Sequence, residues 1–186
     1  MNTPVIETER LRLVEPGEQH IDSIVDVMND PEIYANTLTI PYPYTRDDAV
    51  AAIERFQTMR INDEGMVRFI VTKDSDALVG SVGFEFKDDR QRAELGYAIG
   101  RAWWGRGYAT EAAEGVVRHA FEVRGVPLVT AHAMLHNPAS SRVLEKLGFE
   151  YAGVICGACH KENKDIDAHG YTMSRELWME RSHESS

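Results

Sequence analysis

The stretch Tyr97-Ala98-Ile99-Gly100-Arg101-Ala102-Trp103-Trp104-Gly105-Arg106-Gly107-Tyr108-Ala109-Thr110-Glu111-Ala112 decides how the rest of the chain is read. An apolar strand-like run enters a loop with glycines two residues apart, and a helical pattern starts straight after it. Glycines at such a junction allow positive φ and close approach of a ligand to the backbone. The N–H groups of the first helical turn then point forward, an arrangement suited to a pyrophosphate. Two nucleotide motifs fail on their own terms. Gly100 and Gly105 have P-loop separation, but Arg106 and Gly107 stand where that motif needs Lys and a hydroxyl. A dinucleotide fingerprint needs a third glycine where Thr110 stands, and a strand that opens a βαβ unit rather than one preceded by polar turns. A plain strand-to-helix turn, with glycines for steric reasons, stays open at this point.

Upstream, residues 66–72, 77–86 and 93–99 read as strands parted by Lys73-Asp74-Ser75-Asp76 and Lys87-Asp88-Asp89-Arg90. Such short polar turns imply an antiparallel meander. Leu11, Leu13 and Val14 suggest a first strand, and Ile21, Ile24, Val25 and Met28 recur at helical spacing until Asn29-Asp30-Pro31. Pro41-Tyr42-Pro43-Tyr44 reads as a rigid loop. Thr45 and Asp48 make a capping-box pattern before a helix carrying Ala49, Ile53, Phe56 and Arg60.

Downstream, Ala109, Ala112, Ala113, Val116, Val117, Ala120 and Phe121 give a long helix one apolar face, closed by Gly125. A strand over Leu128–Met134 follows, then a helix over Pro138–Leu147 with Gly148 in the C′ position, then strands near 149–155 and 170–174. The expected fold is α/β (α+β): a mixed, mostly antiparallel sheet of about seven strands flanked by about four helices. One domain is expected over 1–186, with an ordered core over 7–178 and a polar tail over 179–186.

The chain has 186 residues, 43% of them apolar and 27% charged, within the ordinary soluble range. A formal net charge of −10 argues against a phosphate backbone as partner and would draw cationic ligands such as amines. No apolar run approaches the ~20 residues that span a bilayer. The opening Met1-Asn2-Thr3-Pro4-Val5-Ile6-Glu7 has neither the basic nor the apolar region of an export signal. No nucleic acid and no membrane partner is expected, and the expected location is cytoplasmic.

A second segment, His136-Asn137-Pro138-Ala139-Ser140-Ser141-Arg142-Val143-Leu144-Glu145-Lys146-Leu147-Gly148-Phe149, reads locally as an N-capped helix with Pro at N1 and Val143, Leu144 and Leu147 on its core face. The two segments in this order resemble the GNAT superfamily of acetyltransferases, specifically its RimJ/RimL-like branch. Residues 104–112 look like that branch's W-G-x-G-[YF]-A-[ST]-E-A signature, and residues 137–149 like its N-x-x-S-x-R-V-L-E-K-x-G-F signature. The opening Glu7-Thr8-Glu9-Arg10-Leu11-Arg12-Leu13 and the late Asp167 before Gly170-Tyr171-Thr172-Met173 also fit, so the likeness covers about residues 7–178.

The resemblance implies acetyl-CoA as cosubstrate and a primary amine as acceptor: a peptide N-terminus, as in ribosomal-protein enzymes, or a small amine such as a polyamine or antibiotic. It places the backbone of Tyr97, Ala98 and Ile99 along the pantetheine arm, and Gly105, Arg106, Gly107, Tyr108, Ala109 and Thr110 at the pyrophosphate. Asn137 and Ser140 fall near the thioester sulfur, while Arg106 and Arg142 are candidates for phosphate contacts; a plain helix-surface role for Arg142 stays open. Where the superfamily often carries a Tyr that protonates the leaving thiolate, this chain has Leu144, and Ser140 is the replacement candidate with Ser141 behind it.

Glu94, on the strand leading to the acetyl site and sharing a face with Gly96 and Ala98, is the chosen general base, with Glu85 and Asp167 as alternatives. Tyr34, Tyr42 and Tyr44 lie in the segment that covers the acceptor in this family. A homodimer is a family-level expectation, and a non-catalytic acyl-CoA-binding regulator is the rival reading. Cys156-Gly157-Ala158-Cys159-His160 matches C-x-x-C-H, yet its place between two late strands suits neither haem attachment nor a thioredoxin-like site. His20, His119, His132, His136 and His183 show no metal or triad spacing. No metal and no haem is expected.

Overall fold

The computed structural model describes residues 5–162 and 164–184, and among these it shows eight strands and six α-helices. The strands are β1 (Ile6–Glu7), β2 (Leu11–Val14), β3 (Gly65–Thr72), β4 (Leu78–Lys87), β5 (Arg92–Ile99), β6 (Leu128–Met134), β7 (Glu150–Lys161) and β8 (Lys164–Ser174). The helices are α1 (Ile21–Met28), α2 (Pro31–Asn36), α3 (Arg46–Ile61), α4 (Tyr108–Arg118), α5 (Pro138–Leu147) and α6 (Arg175–Glu184). Tertiary contacts divide the chain into one unit of Met1–Gly83 with Tyr97–Val116 and another of Phe84–Gly96 with Val117–Ser186.

In the first unit the hydrogen-bonded strand order is β1-β2-β3-β4-β5. β2 pairs antiparallel with β3 in the register Leu11↔Thr72 to Val14↔Phe69. The core of this unit is built from Ile21, Ile24 and Met28 of α1, Ile33 of α2, Ala49 and Ile53 of α3, and Phe69, Leu78 and Ala98 of the strands, with Tyr44. Each large apolar side chain buried there contributes about 1.5–3 kcal/mol relative to exposure. The expected capping box fixes the start of α3: Thr45 Oγ1 accepts from Asp48 N–H, and Asp48 Oδ2 accepts from Thr45 N–H at 2.8 Å. The loop before it contains a cis Tyr42–Pro43 bond.

In the second unit the order is β5-β6-β8-β7. β5 and β6 run parallel in the register Ala93↔Val129, Glu94↔Thr130 and Leu95↔Ala131, and the β6–β8 and β8–β7 pairs are antiparallel. Asn137 caps α5, its Oδ1 accepting from Ser140 N–H at 3.2 Å, and Gly148 ends the helix at φ 89°. Only a residue without Cβ takes that left-handed turn at no steric cost.

Several elements depart from the sequence pattern. Asn29-Asp30-Pro31 ends α1 but also begins α2, because Asp30 Oδ1 accepts from Glu32 N–H at 2.7 Å and Pro31 is tolerated at N1. The long helix expected up to Gly125 is α-helical only to Arg118. It then widens into a π-turn over His119–Val123, where Arg124 N–H reaches His119 O at 3.0 Å. The last two strands are longer than the expected 149–155 and 170–174, and they form one hairpin with register shifts between Tyr151 and Gly153 and between Ile155 and Cys159. Residues 179–184, expected in a polar tail, are the end of α6, while 185–186 lie outside the described residues. That helix has little periodicity of its own. Trp178 anchors it by stacking on Phe121 at 5.9 Å, and Ser174 Oγ caps it by accepting from Leu177 N–H at 3.2 Å. No helix among the described residues is long and apolar enough to cross a membrane.

Candidate active site

Strand β5 leaves the first unit's sheet at Gly100, whose N–H donates to Val79 O at 2.8 Å. One 3-10 turn follows over Arg101–Trp103, and Trp104 Nε1 donates back to Ile99 O at 2.7 Å. Gly105 and Gly107 then take φ of 75° and 80°, which any other L-residue would adopt only under strain. A Cβ at Gly105 would meet nothing within 4 Å, whereas one at Gly107 would lie 3.3 Å from Arg10 Nη2. The loop is therefore tight on one side and open on the other. Helix α4 begins at once with Tyr108, so the N–H groups of Tyr108, Ala109 and Thr110 form its first turn, at the positive end of the helix dipole.

The loop is held by residues from the chain's opening segment. Glu111 Oε1 accepts from Thr8 Oγ1 at 2.6 Å and from Arg10 N–H at 2.7 Å, and its Oε2 pairs with Arg10 Nε at 2.7 Å. Arg10 Nη1 then donates to Arg106 O at 2.9 Å, and its guanidinium lies 4.9 Å above the Tyr108 ring. Burial pushes the Glu111 carboxyl up, but these donors and the Arg10 charge outweigh it and hold the group below the ordinary glutamate range. Arg106 is exposed, its guanidinium 4.8 Å over Trp103. Open space, a helix N-terminus and an exposed cation are what a pyrophosphate requires. Thr8 and Arg10 lie in the opening stretch 7–13, and nothing local in the sequence says that Glu111 needs them.

In the second unit Glu94 is held from two sides. Its Oε1 lies 3.5 Å from His132 Nδ1, and its Oε2 lies 3.7 Å from Arg92 Nη1. Arg92 is itself oriented by Asp88 Oδ2 at 3.0 Å and Thr130 Oγ1 at 3.3 Å. The facing imidazole of His132 lowers the Glu94 carboxyl below its ordinary range; burial opposes this, and Lys87 and Arg92 add to the lowering. Cys159 is buried on the same network, its thiol pushed up by burial and by the Glu94 charge. Gly96, two residues along, is exposed, and a Cβ added there would meet nothing within 4 Å. Strand alternation puts Gly96 on the Glu94 face, so the carboxylate borders open space.

The alternatives to Glu94 are engaged elsewhere. Glu85 pairs with Lys87 Nζ at 2.8 Å, and Asp167 accepts from Gly157 N–H at 2.9 Å, fixing a bulge of β7. Asn137 and Ser140 are brought together by the α5 cap. Ser141 Oγ is buried with no hydrogen-bond partner among the described residues, Leu144 is fully buried, and Arg142 is exposed. Tyr44 is buried, whereas Tyr42 is half exposed with its ring centre 6.5 Å from that of Tyr34. Cys156 is exposed and Cys159 buried, both as free thiols. His132 carries no motif in the sequence; only the β5–β6 register brings it to Glu94.

Residues 10–150 match the model of the acetyltransferase (GNAT) domain family. The chain is 27% identical over 171 residues to the N-acetyltransferase YoaA of Bacillus subtilis, covering 91% of this chain and 96% of that one. It is 30% identical over 174 residues to the N-acetyltransferase p20 of Bacillus licheniformis, covering 89% and 93%. Among solved structures it matches RimL, the ribosomal L7/L12 alpha-N-protein acetyltransferase in complex with coenzyme A, with a TM-score of 0.83 at 14% identity over 94% of this chain and 99% of that one. The chain belongs to the GNAT acetyltransferase family. It is an acyltransferase that uses acetyl-CoA.

Proposed function

We propose that this enzyme acetylates a primary amine, a protein N-terminal α-amine in the manner the name of RimL describes, by direct transfer in a ternary complex. The observation that carries the reading is the Glu94 carboxylate, ionised and oriented, beside the open face at Gly96. An acceptor amine arrives as an ammonium, and an anionic side chain bordering free space both attracts it and begins its deprotonation.

Acetyl-CoA supplies an already activated thioester. The chain's residues have only to place it and manage charge, and positioning alone contributes several kcal/mol, up to roughly 7–11 in well-oriented cases. The backbone of Tyr97, Ala98 and Ile99 lines the pantetheine arm, with Ile99 N–H polarising the acetyl carbonyl. Gly105, Arg106, Gly107, Tyr108, Ala109 and Thr110 hold the pyrophosphate, and Arg142 adds a cation. Asn137 fixes the first turn of α5, so that Ser140 donates to the departing sulfur in place of the tyrosine that Leu144 replaces.

The test is coenzyme A release measured with peptides bearing free N-termini and with spermidine as a small polyamine. A kcat/KM at least tenfold higher for a peptide supports the protein acceptor. The net charge of −10 favours a polycation as the second reading, and the reverse ranking would adopt it. Saturating acetyl-CoA, at about 100 times Kd, adds ~2.7 kcal/mol of stability. For a chain of this size that is a rise in Tm of roughly 5–10 °C. Absence of that rise would remove the binding assignment of the glycine loop.

A further inference from the structure

The Cys156-Gly157-Ala158-Cys159 segment of β7 has no part in the chemistry above. We propose that its two thiols are a redox modification site: a low-molecular-weight disulfide such as glutathione disulfide closes them to an intramolecular disulfide, and the closed form transfers acetyl groups more slowly. The slowing rests on the acetyltransfer reading; the bond does not. In a regular strand, residues three apart stand ~10 Å from one another, beyond the ~7 Å across which a disulfide forms. β7 is not regular here. Its ladder with β8 pairs Ile155 with Ala168 and resumes at Cys159 with Ile166, so Cys156, Gly157 and Ala158 stand against Asp167 alone. Ile155 and Cys159 are therefore only the rise of two partner residues apart, ~7 Å, and the chain between them folds into a turn. Gly157 makes that turn at φ 62°, its N–H donating to Asp167 Oδ1 at 2.9 Å. Cys156 and Cys159 are the first and last residues of the folded stretch, and the turn draws them into disulfide reach.

The two thiols have different parts. Cys156 is exposed and open to an external disulfide, whereas Cys159 is buried. Burial and the Glu94 charge push the Cys159 thiol up, so Cys156 attacks first. Its sulfur, losing its proton, bonds to one sulfur of glutathione disulfide, and the other glutathione leaves and takes up that proton. Cys159 then attacks Cys156 Sγ, and its proton goes to the second glutathione as that leaves. Two protein thiols are oxidised and one external disulfide is reduced to two thiols. Ile155 carries the change to the site. It precedes Cys156, and its Cδ1 occupies the space that a Cβ on Gly170 would need. Gly170 pairs with His132 on β6, and His132 Nδ1 faces Glu94 Oε1 at 3.5 Å. Tightening the turn pulls on Ile155 at one end and on Cys159 at the other, and both border the Glu94 face.

The experiment titrates the reduced, full-length protein with glutathione disulfide, reading free thiols, peptide masses and coenzyme A release with the best acceptor. Wild type is expected to lose both thiols, to show the 156–159 peptide lighter by two hydrogens, and to lose turnover severalfold. Dithiothreitol is expected to reverse all three. C156S is expected to keep the Cys159 thiol and its full turnover under the same titration. Thiols that stay free in the folded protein, or a glutathione that stays on Cys156 without closure, would overturn the site. Closure with turnover unchanged, or equal loss of turnover in C156S, would overturn the slowing. Wild type that releases no coenzyme A with any amine would overturn the acetyltransfer reading, and the slowing with it, while the peptide masses still decide the bond.

Discussion

Two regions carry the proposed chemistry, and they are built in opposite ways. The glycine loop of the first unit presents backbone: Gly105 and Gly107 take positive φ, and Thr8 and Arg10, from far along the sequence, brace it through Glu111 in the first turn of α4. The Glu94 face of the second unit presents a side chain, and the sheet does the bracing through His132, Arg92 and Thr130. Backbone recognition needs a defined φ and free donors, which a short motif specifies. Acid–base chemistry needs two or three side chains at set distances, which strand register specifies.

That contrast can be broken most directly at Glu94. E94Q is expected to lower kcat by about 10²–10⁴-fold, the usual contribution of a positioned acid–base group, while the acetyl-CoA-induced rise in Tm stays. Steady-state kinetics beside thermal melts separate the two effects. If binding failed along with turnover, the two regions would not be separable.

The reverse experiment is G107V. The left-handed φ and the 3.3 Å approach to Arg10 Nη2 penalise any side chain, by about 1–3 kcal/mol of strain. The expected result is a KM for acetyl-CoA raised about tenfold or more, with the pH profile unchanged. Calorimetric titration with coenzyme A gives the same answer without an acceptor.

S140A sharpens the comparison at the sulfur. One neutral hydrogen bond contributes about 0.5–1.5 kcal/mol, so kcat should fall about tenfold at most, with coenzyme A affinity kept. An unchanged turnover number would remove Ser140 from the mechanism and point to Ser141, whose Oγ is buried with no hydrogen-bond partner among the described residues.

The smallest effect is expected from E111Q, which keeps the shape of the brace and removes its charge, at a cost of about 1 kcal/mol after allowing for its partial exposure. For this chain length that is roughly 2–4 °C in Tm. The native pKa of Glu111 is lowered, so its stabilisation is full above the ordinary glutamate range and lost as pH falls through the lowered value. Melts of wild type and E111Q should therefore differ at neutral pH and converge in acid.

Much of the architecture was legible because local rules and tertiary demand agree. The Thr45–Asp48 box, the Asn137-Pro138 start and the Gly148 stop of α5 all stand where the pattern puts them. Legibility failed where a segment serves two elements or borrows its stability. Asp30-Pro31 reads as a terminator although it also caps α2, and α6 has no amphipathic stripe because one tryptophan, Trp178, anchors it. The β7–β8 hairpin runs past its apolar stretches into polar residues, since backbone pairing carries it there. A lone histidine in a strand, such as His132, has no periodic or spacing signal at all.

By itself, the sequence determined the fold class, the glycine loop with its helix start, the capped α5 segment and Glu94 as a strand carboxylate, because each depends on residues close together in the chain. Tertiary structure alone decided that Glu111 is tied up by Thr8 and Arg10, and that Glu94 faces His132 and Arg92 beside the open space at Gly96. The reason is physical: φ, capping and periodicity act over a few residues, whereas the distance between two side chains on neighbouring strands is set by a register that the whole sheet must satisfy.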